Sequence, residues 1–408
     1  MDHIVIVGAG ECGARAAFAL REKGFKGKVT LVGAEPVLPY ERPPLSKEAL
    51  LHGHEPKLVS DAARYNDAKI DLVTGMSIES IDRAGKSVRL SDGHNISYDR
   101  LLLATGARPR AFPGLSGSNW RIKTLRTHRD AVMIRESLQP GKHIAVIGGG
   151  FIGLELAATA RKRGATVTVI EGLPRILTRG VPEPIAAVVA ERHKSEGVHI
   201  ICGARIKALE ENRSEARVVL EDGRIISVDM IVVGIGAMPN IELAMEAGLS
   251  IDNGIAVDEH LRTSDPHIFA AGDCCSFPLA HYDGRRVRLE AWRNAQDQGL
   301  LAATNLLGGK EAIATVPWSW SDQYDLTLQI AGIADGAVIT VRRNMADGAF
   351  ILFHLDVTGR LLAASGIGPG NAIAQDIRLA EMMIAAGARP DPLALAAPET
   401  KLKSLLAA

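Results

Sequence analysis

A strand, glycine turn, helix and second strand occur twice in this chain, and this duplicated unit restricts the fold more than any other feature. The second copy, His143–Glu171, contains three glycines in GxGxxG spacing: Gly148, Gly150 and Gly153. In this spacing the first glycine permits a tight turn, the second lets a pyrophosphate approach the backbone, and the third allows close packing of helix and strand. Glu171 closes the second strand, where a carboxylate accepts hydrogen bonds from the adenosine ribose 2′-hydroxyl and repels a 2′-phosphate. This copy therefore predicts a dinucleotide site that prefers NADH to NADPH, a preference that Arg175 is placed to soften.

The first copy lies at the start of the chain. An apolar strand, His3–Val7, precedes glycines in the same spacing: Gly8, Gly10 and Gly13. We expect an alanine-rich helix to about Lys23 and a strand over Lys28–Val32. Gly33 occupies the position that matches Glu171, so Glu35, two residues later, is the candidate ribose ligand here. Two such units in one redox chain are most simply explained by FAD and a nicotinamide coenzyme.

Length, charge and hydropathy exclude several classes of protein. A chain of 408 residues exceeds one hydrophobic core and predicts two or three domains. Equal numbers of acidic and basic residues, 47 each, give no basis for binding nucleic acid or an anionic membrane surface. No apolar run is long enough to span a membrane, and the opening strand leaves no room for a signal peptide. We expect a soluble cytoplasmic protein.

Cysteine and histidine spacing argues against thiol redox chemistry and against a metal site. The four cysteines form no CxxC or CxxxxC pair, and we expect them to be small buried or half-buried residues: Cys12, Cys202, Cys274 and Cys275. The 12 histidines show no HxH or HExxH spacing. No metal site is predicted.

The segment Pro39–Leu50, PYERPPLSKEAL, combines consecutive prolines with two cations. The prolines predict an extended Arg42–Leu45, after which Ser46 caps a helix that begins near Lys47. One interpretation is that Arg42 and Lys47 contact a pyrophosphate and the edge of a flavin. The alternative is a surface loop followed by a capped helix.

Seven motifs in order resemble one family. They are the first GxGxxG, RPPLSK, LLLATGARP, GGGFIGLE, GIGAMPN, TSDPHIFAAGDC and WSDQYD. Together they resemble the FAD-dependent NADH:ferredoxin reductases of bacterial Rieske-type aromatic-ring oxygenase and cytochrome P450 systems, the biphenyl dioxygenase reductase and putidaredoxin reductase type. The motifs up to GDC are shared with the wider flavoprotein disulfide reductase superfamily, whereas RPPLSK and WSDQYD narrow the resemblance.

The resemblance implies an α/β protein with two Rossmann-like dinucleotide-binding domains, of glutathione reductase type, and a C-terminal α+β domain. Residues 1–110 and 233–313 would form the FAD-binding domain, residues 111–232 an inserted NAD-binding domain, and residues 314–408 the C-terminal domain. Two apolar runs ending in glycine, LLLATG and IVVGIG, support these boundaries, because they suit strands where the chain passes between domains.

The resemblance also implies roles for individual residues. Asp273 would bind the FAD ribityl chain, with Gly272 allowing close approach of the backbone, although an aspartate there also suits a helix N-cap. Lys47 would pair with Glu155 beside the flavin and nicotinamide, although a carboxylate in the first turn of a helix is favoured in any case. The remaining candidate cofactor contacts are Ile78, Ala104, Thr105, Gly106, Arg126, Ile152, Gly236 and Trp292.

Lys47 occupies about the position where related NADH oxidases, peroxidases and coenzyme A disulfide reductases carry a redox cysteine. The resemblance therefore implies that electrons leave from the flavin itself, one at a time, to a [2Fe–2S] ferredoxin serving aromatic hydrocarbon catabolism. A monomer or a homodimer is expected. Two alternatives stay open: a related rubredoxin or monodehydroascorbate reductase, and a redox-dependent interaction protein resembling apoptosis-inducing factor.

The C-terminal part begins with two tryptophans in alternation, Trp318 and Trp320, which predicts a strand with both indoles on one face. Either ring is interpreted as core or as part of a flavin cover or acceptor surface. Antiparallel strands and a helix are expected at Val338–Arg343, Ala349–Leu355, Arg360–Gly366 and Gln375–Ala386. We expect the last dozen residues to form a loose tail.

Overall fold

The computed structural model describes residues 1–115 and 119–406. The first seventeen strands are β1 His3–Val7, β2 Lys28–Gly33, β3 Ile70–Thr74, β4 Ile78–Asp82, β5 Ser87–Leu90, β6 Asn95–Ser97, β7 Arg100–Leu103, β8 Ala107–Pro109, β9 Ile122–Lys123, β10 His143–Ile147, β11 Thr166–Glu171, β12 His199–Cys202, β13 Ile206–Glu211, β14 Ala216–Leu220, β15 Ile225–Val228, β16 Met230–Val233 and β17 Ala237–Pro239. The remaining strands are β18 Ile255–Ala256, β19 Ile268–Ala270, β20 Cys275–Leu279, β21 Arg285–Val287, β22 Trp318–Gln323, β23 Leu326–Gly332, β24 Ile339–Asn344, β25 Phe350–Leu355 and β26 Leu361–Pro369.

The α-helices are α1 Glu11–Glu22, α2 Glu48–His52, α3 Ala62–Asp67, α4 His128–Ser137, α5 Phe151–Lys162, α6 Glu183–Ser195, α7 Glu242–Glu246, α8 Trp292–Leu306, α9 Ala374–Ala385 and α10 Pro392–Ala396. Short 3₁₀ turns include Pro43–Ser46, Gly272–Cys274 and Leu402–Leu405. Within residues 1–115 and 119–406, no helix is both long and apolar enough to cross a bilayer.

The chain divides into two compact units. Unit 1 contains Met1–Glu41, Lys57–Arg108 and Met238–Pro317, and unit 2 contains Arg42–Pro56, Pro109–Ala237 and Trp318–Ala408. The chain enters unit 2 after Arg108 and leaves it after Ala237, close behind the two apolar runs that end in glycine. The segment around RPPLSK and the C-terminal residues thus fall into the same unit as β10 and α5.

Unit 1 is built around a parallel sheet with the strand order β19-β7-β1-β2-β3. Its central strands are apolar almost without interruption, because a parallel sheet is covered on both faces. Ile4, Ile6 and Leu102 are fully buried. An antiparallel sheet, β4-β5-β6, and a mixed one, β18-β20-β21, complete the unit.

Unit 2 repeats this plan. Its parallel sheet has the order β12-β11-β10-β16-β9, with β10 in the place of β1, and an antiparallel sheet, β13-β14-β15, corresponds to β4-β5-β6. The duplication predicted from the two glycine motifs is confirmed. The strands predicted at His3–Val7 and Lys28–Val32 match the structure to within one residue, and the second copy begins with β10 at His143 and ends with β11 at Glu171 as predicted, because each strand is a short apolar run bounded by a turn.

The C-terminal part of unit 2 is an antiparallel sheet, β22-β23-β26-β25-β24, with α9 packed on it. The strands and the helix predicted there are confirmed, with ends shifted by at most three residues.

The prediction of a loose tail over the last dozen residues is wrong for residues 397–406, while residues 407–408 lie outside the described residues. Leu402, in the last 3₁₀ turn, is 2% exposed, and Leu395 in the preceding α10 is 0% exposed. The guanidinium of Arg343 donates to the carbonyls of Ala397 at 2.6 Å and Thr400 at 2.8 Å, which fixes the intervening backbone. A short segment without periodicity gave no sign of these long-range contacts.

Candidate functional site

The glycine turn of unit 1 is closed by backbone contacts that exclude any side chain. Gly8 has φ of +113°, and a Cβ there would lie 2.1 Å from the Ala104 carbonyl oxygen. A Cβ on Gly13 would lie 2.0 Å from the Gly8 oxygen, which is the close helix–strand approach that the third glycine permits. A Cβ on Gly10 would meet no atom within 4 Å, so the space above it is open.

The glycine turn of unit 2 has the same geometry. Gly148 has φ of +105° and its Cβ would lie 2.4 Å from the Gly234 oxygen, while that of Gly153 would lie 2.2 Å from the Gly148 oxygen. The space above Gly150 is open, as it is above Gly10.

Both turns fit a dinucleotide pyrophosphate. Gly10 and Gly150 are the N-caps of α1 and α5, and neither helix start has a side-chain cap. The first backbone N–H groups of a helix lack intrahelical partners and carry partial positive charge, so they suit an anion above the open glycine. Ile152, in the first turn of α5, is 52% exposed, which places an apolar surface beside this opening.

Glu171 ends β11 and turns its carboxylate onto the glycine turn. Its Oε2 accepts a hydrogen bond from Gly149 N at 2.6 Å, and its Oε1 accepts one from Leu173 N at 2.8 Å. The carboxylate is thereby fixed at the end of β11, where the ribose of a bound dinucleotide lies in this fold. The guanidinium of Arg175 donates to the carbonyls of Ile176, Leu177 and Val181. The effect of Arg175 on the choice between NADH and NADPH stays a prediction.

In unit 1 the candidate acid, Glu35, lies two residues after the position that matches Glu171, and the structure gives the reason. A Cβ on Gly33 would lie 2.6 Å from the Cβ of Ala9, so the position that matches Glu171 has no room for a side chain. Glu35, the predicted substitute, accepts a hydrogen bond from Tyr40 Oη at 2.6 Å. Its role toward a ribose stays a prediction.

The segments after β7 and before α7 are tied together within unit 1. Thr105 Oγ1 donates to the Asn240 carbonyl at 2.7 Å, and Asn240 Nδ2 donates to the Thr105 carbonyl at 2.8 Å. Ala104 closes the Gly8 turn, and Gly106, with φ of +68°, accepts from Asn240 N. These predicted contacts therefore lie together beside the first glycine turn.

Ile78 lies away from the glycine turn of unit 1, whereas Gly236 follows Gly234, whose carbonyl closes the glycine turn of unit 2. Ile78 is a buried residue of β4, paired with Leu90 in the antiparallel sheet of unit 1. Gly236 in unit 2 has φ of +108° and accepts a hydrogen bond from Arg110 N at 2.9 Å.

Asp273 and Trp292 lie at two helix starts of unit 1. Asp273 is the central residue of the 3₁₀ turn Gly272–Cys274, and Trp292 is the first residue of α8. Sequence reasoning missed Gln298 of α8, which is 1% exposed and whose Oε1 accepts from Gly272 N at 2.7 Å. Gln298 thereby fixes the glycine that precedes Asp273, and no motif signals this contact.

The segment before α2 differs from the prediction. Arg42 is helical rather than extended, with φ of −87° and ψ of −27°, and Pro43–Ser46 form a 3₁₀ turn. Prolines are tolerated in the first turn of a helix, and this outweighs the usual extended preference of the preceding residue. Ser46 does not cap α2, whose N-cap is Lys47 without a side-chain bond.

Arg42 and Arg126 contact each other within unit 2. Arg42 Nη1 donates to the Arg126 carbonyl at 2.5 Å, and Asp130 Oδ2 accepts from Arg126 N at 3.0 Å. These two candidate cofactor contacts are thus neighbours, held at the start of α4.

Lys47 and Glu155 form an ion pair in unit 2. Lys47 Nζ lies 2.8 Å from Glu155 Oε2, and the two side chains are 23% and 7% exposed. Ser46 Oγ donates to the same carboxylate oxygen at 2.5 Å, and Ser321 Oγ donates to Oε1 at 2.6 Å. A charge buried to this degree requires a partner of opposite sign and further hydrogen bonds, which this group has. Sequence reasoning missed both serines, although they lie in the RPPLSK and WSDQYD motifs.

Trp318 and Trp320 lie on one face of β22, as predicted. Their rings stack with centroids 5.2 Å apart and planes 22° apart. Lys47 Nζ lies 6.0 Å from the centroid of the Trp320 ring, so the ammonium has a carboxylate partner and an aromatic neighbour in the same unit.

Three of the four cysteines are buried and one is exposed. Cys12, Cys274 and Cys275 are buried, and burial raises the pKa of all three thiols, that of Cys12 and Cys275 well above the usual range. Cys202 is exposed, contrary to the expectation of burial, because it ends an outer strand, but desolvation and then Glu171 raise its pKa too. Thiolates are the reactive form, so these environments disfavour thiol chemistry. In the described ranges 1–115 and 119–406, no group of three or more His, Cys, Asp or Glu is arranged to hold a metal ion.

Two family models match the chain. Residues 2–299 match the pyridine nucleotide-disulphide oxidoreductase model, and residues 318–406 match the reductase C-terminal model. The first family model covers both glycine turns with their parallel sheets, and the second covers the C-terminal antiparallel sheet.

Individual proteins match over nearly the whole length. The chain is 43% identical over 411 residues to the ferredoxin–NAD(+) reductase component of the anthranilate 1,2-dioxygenase system of Burkholderia cepacia, covering 99% of both chains. It is 41% identical over 364 residues to putidaredoxin reductase of Pseudomonas putida, covering 87% of this chain and 86% of that protein.

The fold agrees with solved structures. The reductase of the covalent putidaredoxin reductase–putidaredoxin complex superposes with a TM-score of 0.94 at 36% identity, covering 100% of this chain and 98% of the other. With both glycine turns, the Lys47–Glu155 pair and the C-terminal sheet in place, the chain belongs to the pyridine nucleotide-disulphide oxidoreductase family, among its FAD- and NAD-dependent ferredoxin reductases.

Proposed function

We propose that this protein oxidises NADH and passes the electrons through FAD, one at a time, to a ferredoxin that serves a Rieske-type oxygenase or a cytochrome P450. The observation that carries this proposal is the pair of open glycine turns in a chain whose buried cysteines have raised pKa values. Two dinucleotide sites imply a hydride donor and a flavin, and thiols in such environments are poor carriers. The relative from Burkholderia cepacia, named as a ferredoxin–NAD(+) reductase component, supports the ferredoxin as acceptor.

The chain supplies binding and electrostatics, whereas bound FAD supplies the change from two-electron to one-electron transfer. Gly8, Gly10 and the start of α1 would hold the FAD pyrophosphate in unit 1. Gly148, Gly150 and the start of α5 would hold that of NADH in unit 2, with Glu171 on the ribose. Lys47 would stabilise negative charge on reduced flavin, and Glu155 would keep the ammonium in one position.

Glu171 supports NADH as the coenzyme, since a fixed carboxylate repels a 2′-phosphate. The reaction draws on NADH and an intracellular electron carrier, so we propose the cytoplasm as its location. The names of several relatives support a role in oxygenase systems that degrade aromatic compounds.

The experiment is NADH-driven reduction of a panel of acceptors by the FAD-loaded protein. We expect fast reduction of one or more [2Fe–2S] ferredoxins, and slow reduction of rubredoxin and monodehydroascorbate. Fast reduction of rubredoxin or monodehydroascorbate alone would replace the proposed acceptor. A long-lived charge-transfer complex without turnover of any acceptor would instead favour an interaction protein regulated by NADH.

A further inference from the structure

A continuous row of hydrogen bonds leads from Glu155 to the edge of unit 2. Ser321 Oγ lies 2.6 Å from Glu155 Oε1, and Gln323 Nε2 lies 3.1 Å from Ser321 Oγ. His193 Nε2 lies 2.7 Å from Gln323 Oε1, and Tyr324 Oη lies 3.3 Å from His193 Nδ1. The row joins the ion pair on α5 to a helix, α6, that carries none of the predicted site residues.

The carboxylate at one end sets the direction of every bond in the row. An ionised carboxylate only accepts hydrogen bonds, so Ser321 must donate to Glu155 and can accept from the Gln323 amide. The Gln323 oxygen must then accept from an Nε2–H group on His193. A neutral imidazole protonated at Nε2 has a bare Nδ1, which accepts from the Tyr324 hydroxyl.

The surroundings of His193 agree with a neutral ring. The side chain is 0% exposed, and this burial lowers the pKa of His193, with Arg192 lowering it further and Gln323 and Glu196 opposing the shift. Ser321 and Gln323 are 1% and 3% exposed. Buried polar groups are costly unless they are hydrogen-bonded, and each link of the row satisfies the next.

The outer residue of the row is held in a strained conformation. Tyr324 has φ of +60°, in the left-handed region, at the start of the two-residue loop between β22 and β23. For a residue with a Cβ this conformation is unfavourable, and glycine or asparagine would suit it better. The same conformation brings the Tyr324 ring to 5.1 Å from Arg192 Cζ and its hydroxyl to His193. Strain of this kind persists where the surrounding contacts require it.

We propose that His193 and Gln323 are positioning residues for the Lys47–Glu155 pair. By fixing the Ser321 hydroxyl, they direct its proton to Glu155 Oε1 and leave Oε2 to Ser46 and Lys47. Without Gln323 the hydroxyl of Ser321 is free to rotate away, the carboxylate loses a fixed donor, and the Lys47 ammonium loses a fixed counter-charge. This inference rests on the proposed function, because it assigns the row to the reduction of FAD by NADH.

Two variants of one residue test the row in the FAD-loaded enzyme. Gln323→Glu is nearly isosteric and still accepts from His193, but it cannot donate to Ser321. Gln323→Met removes both links. We expect each variant to retain FAD and to be reduced by NADH on the order of tenfold more slowly, since hydrogen bonds to charged groups are the strong ones. The dissociation constant for NADH should change less than the reduction rate.

Two further variants serve as controls. Thr327→Val removes the bond from Thr327 Oγ1 to Asp322 Oδ1 in the same hairpin without touching the row, and should leave the reduction rate unchanged. Tyr324→Phe removes only the outermost hydroxyl and should slow reduction less than either Gln323 variant. Normal reduction rates in both Gln323 variants, or an equal loss in Thr327→Val, would overturn the positioning role.

A second measurement tests the direction of the hydrogen bonds in the row without enzyme turnover. In ¹⁵N-histidine-labelled enzyme, we expect the His193 ring, identified by its loss in His193→Asn, to be neutral and protonated at Nε2 at pH 7. In Gln323→Glu the adjacent carboxylate should favour the doubly protonated ring. A His193 ring protonated at Nδ1 in the unaltered enzyme would overturn the direction of the row. Failure of NADH to reduce the unaltered enzyme would instead refute the proposed function, and this outcome is distinguishable because it involves no variant.

Discussion

At the residue scale, backbone contacts leave no room for a side chain at the first glycine of each turn. The missing Cβ atoms of Gly8 and Gly148 would lie 2.1 and 2.4 Å from carbonyl oxygens, distances that no relaxation of a side chain can relieve. By contrast, whether the second strand of each copy can end in an acidic residue depends on free space for its side chain. Glu171 has that space, whereas Ala9 removes it at Gly33.

We expect Glu171→Ala to raise the use of NADPH relative to NADH. Removing the negative charge should improve the ratio of kcat/KM values for the two coenzymes by about 1–2 kcal/mol, or about 5- to 30-fold. Steady-state kinetics with both coenzymes measure this ratio. Glu171→Gln separates charge from hydrogen bonding, since its side-chain oxygen still accepts from Gly149 N or Leu173 N. An unchanged ratio in both variants would refute the role of Glu171 in coenzyme choice.

We expect Lys47 and Glu155 to act as a coupled pair. Lys47→Ala should slow hydride transfer and lower the potential of the bound flavin, and Glu155→Ala should change both in a different direction. The double variant should be less impaired than the sum of the single effects, with a coupling of about 0.5–3 kcal/mol. Stopped-flow bleaching of oxidised flavin by NADH measures the rates. Strict additivity, or normal rates in both single variants, would reduce the ion pair to a structural feature.

At the element scale, alternate residues of β22, in the hairpin of β22 and β23, face opposite sides and have different contacts. Ser321 and Gln323 point to one face, where both are buried, and reach Glu155 and His193. Trp318, Trp320 and Asp322 share the other face, where Asp322 Oδ2 accepts from Trp320 Nε1 at 3.0 Å. One six-residue strand thus carries a polar row on one side and a pair of indoles on the other.

The buried His354 of β25 predicts a loss of stability in acid. Burial lowers the pKa of His354 to about 4 from 6.5, so the unfolded chain binds a proton more readily than the folded one. The stabilisation is complete above pH 6.5 and is lost as the pH falls from 6.5 toward 4. This shift in pKa corresponds to a change of about 3 kcal/mol in the free energy of unfolding.

We expect urea unfolding of His354→Leu to depend less steeply on pH across this interval than unfolding of the unaltered protein. Comparing the two proteins at each pH isolates His354, because the other histidines titrate equally in both. Parallel pH curves for the two proteins would contradict the assignment.

At the scale of the whole molecule, the same arrangement of strand, glycine turn and helix provides the sites of two cofactors. β1 and β10 occupy equivalent central positions, and each is followed by a glycine turn and a helix without a side-chain cap. The two copies differ at the acid that ends the second strand, because Gly33 in the first copy matches Glu171 in the second. Three of the four cysteines are buried and all four have raised pKa values, so we expect electrons to pass without a thiol carrier.

We expect an enzyme with all four cysteines replaced by alanine to reduce ferredoxin at a rate within a few-fold of the unaltered enzyme, provided that it folds and holds FAD. None of Cys12, Cys202, Cys274 or Cys275 should take part in electron transfer. The measurement compares NADH-driven reduction of the bound flavin with reduction of the ferredoxin. Normal flavin reduction with no electron delivery would reveal a thiol relay and contradict the proposed mechanism.

The sequence by itself determined the duplicated dinucleotide plan and the strands on either side of its glycine motifs, and the family resemblance of its motifs indicated the partnership of Lys47 with Glu155. These features depend on local patterns: apolar runs bounded by turns, glycine spacing, and motifs that resemble a family. Only the tertiary structure decided the helical conformation of Arg42, the ordered tail under Arg343, and the partners of Glu155 on Ser46 and Ser321. The tail and the partners of Glu155 depend on contacts between residues far apart in the chain, such as Arg343 with Ala397 and Ser321 with Glu155, and the free energies of these contacts outweigh the local preferences that a sequence pattern records.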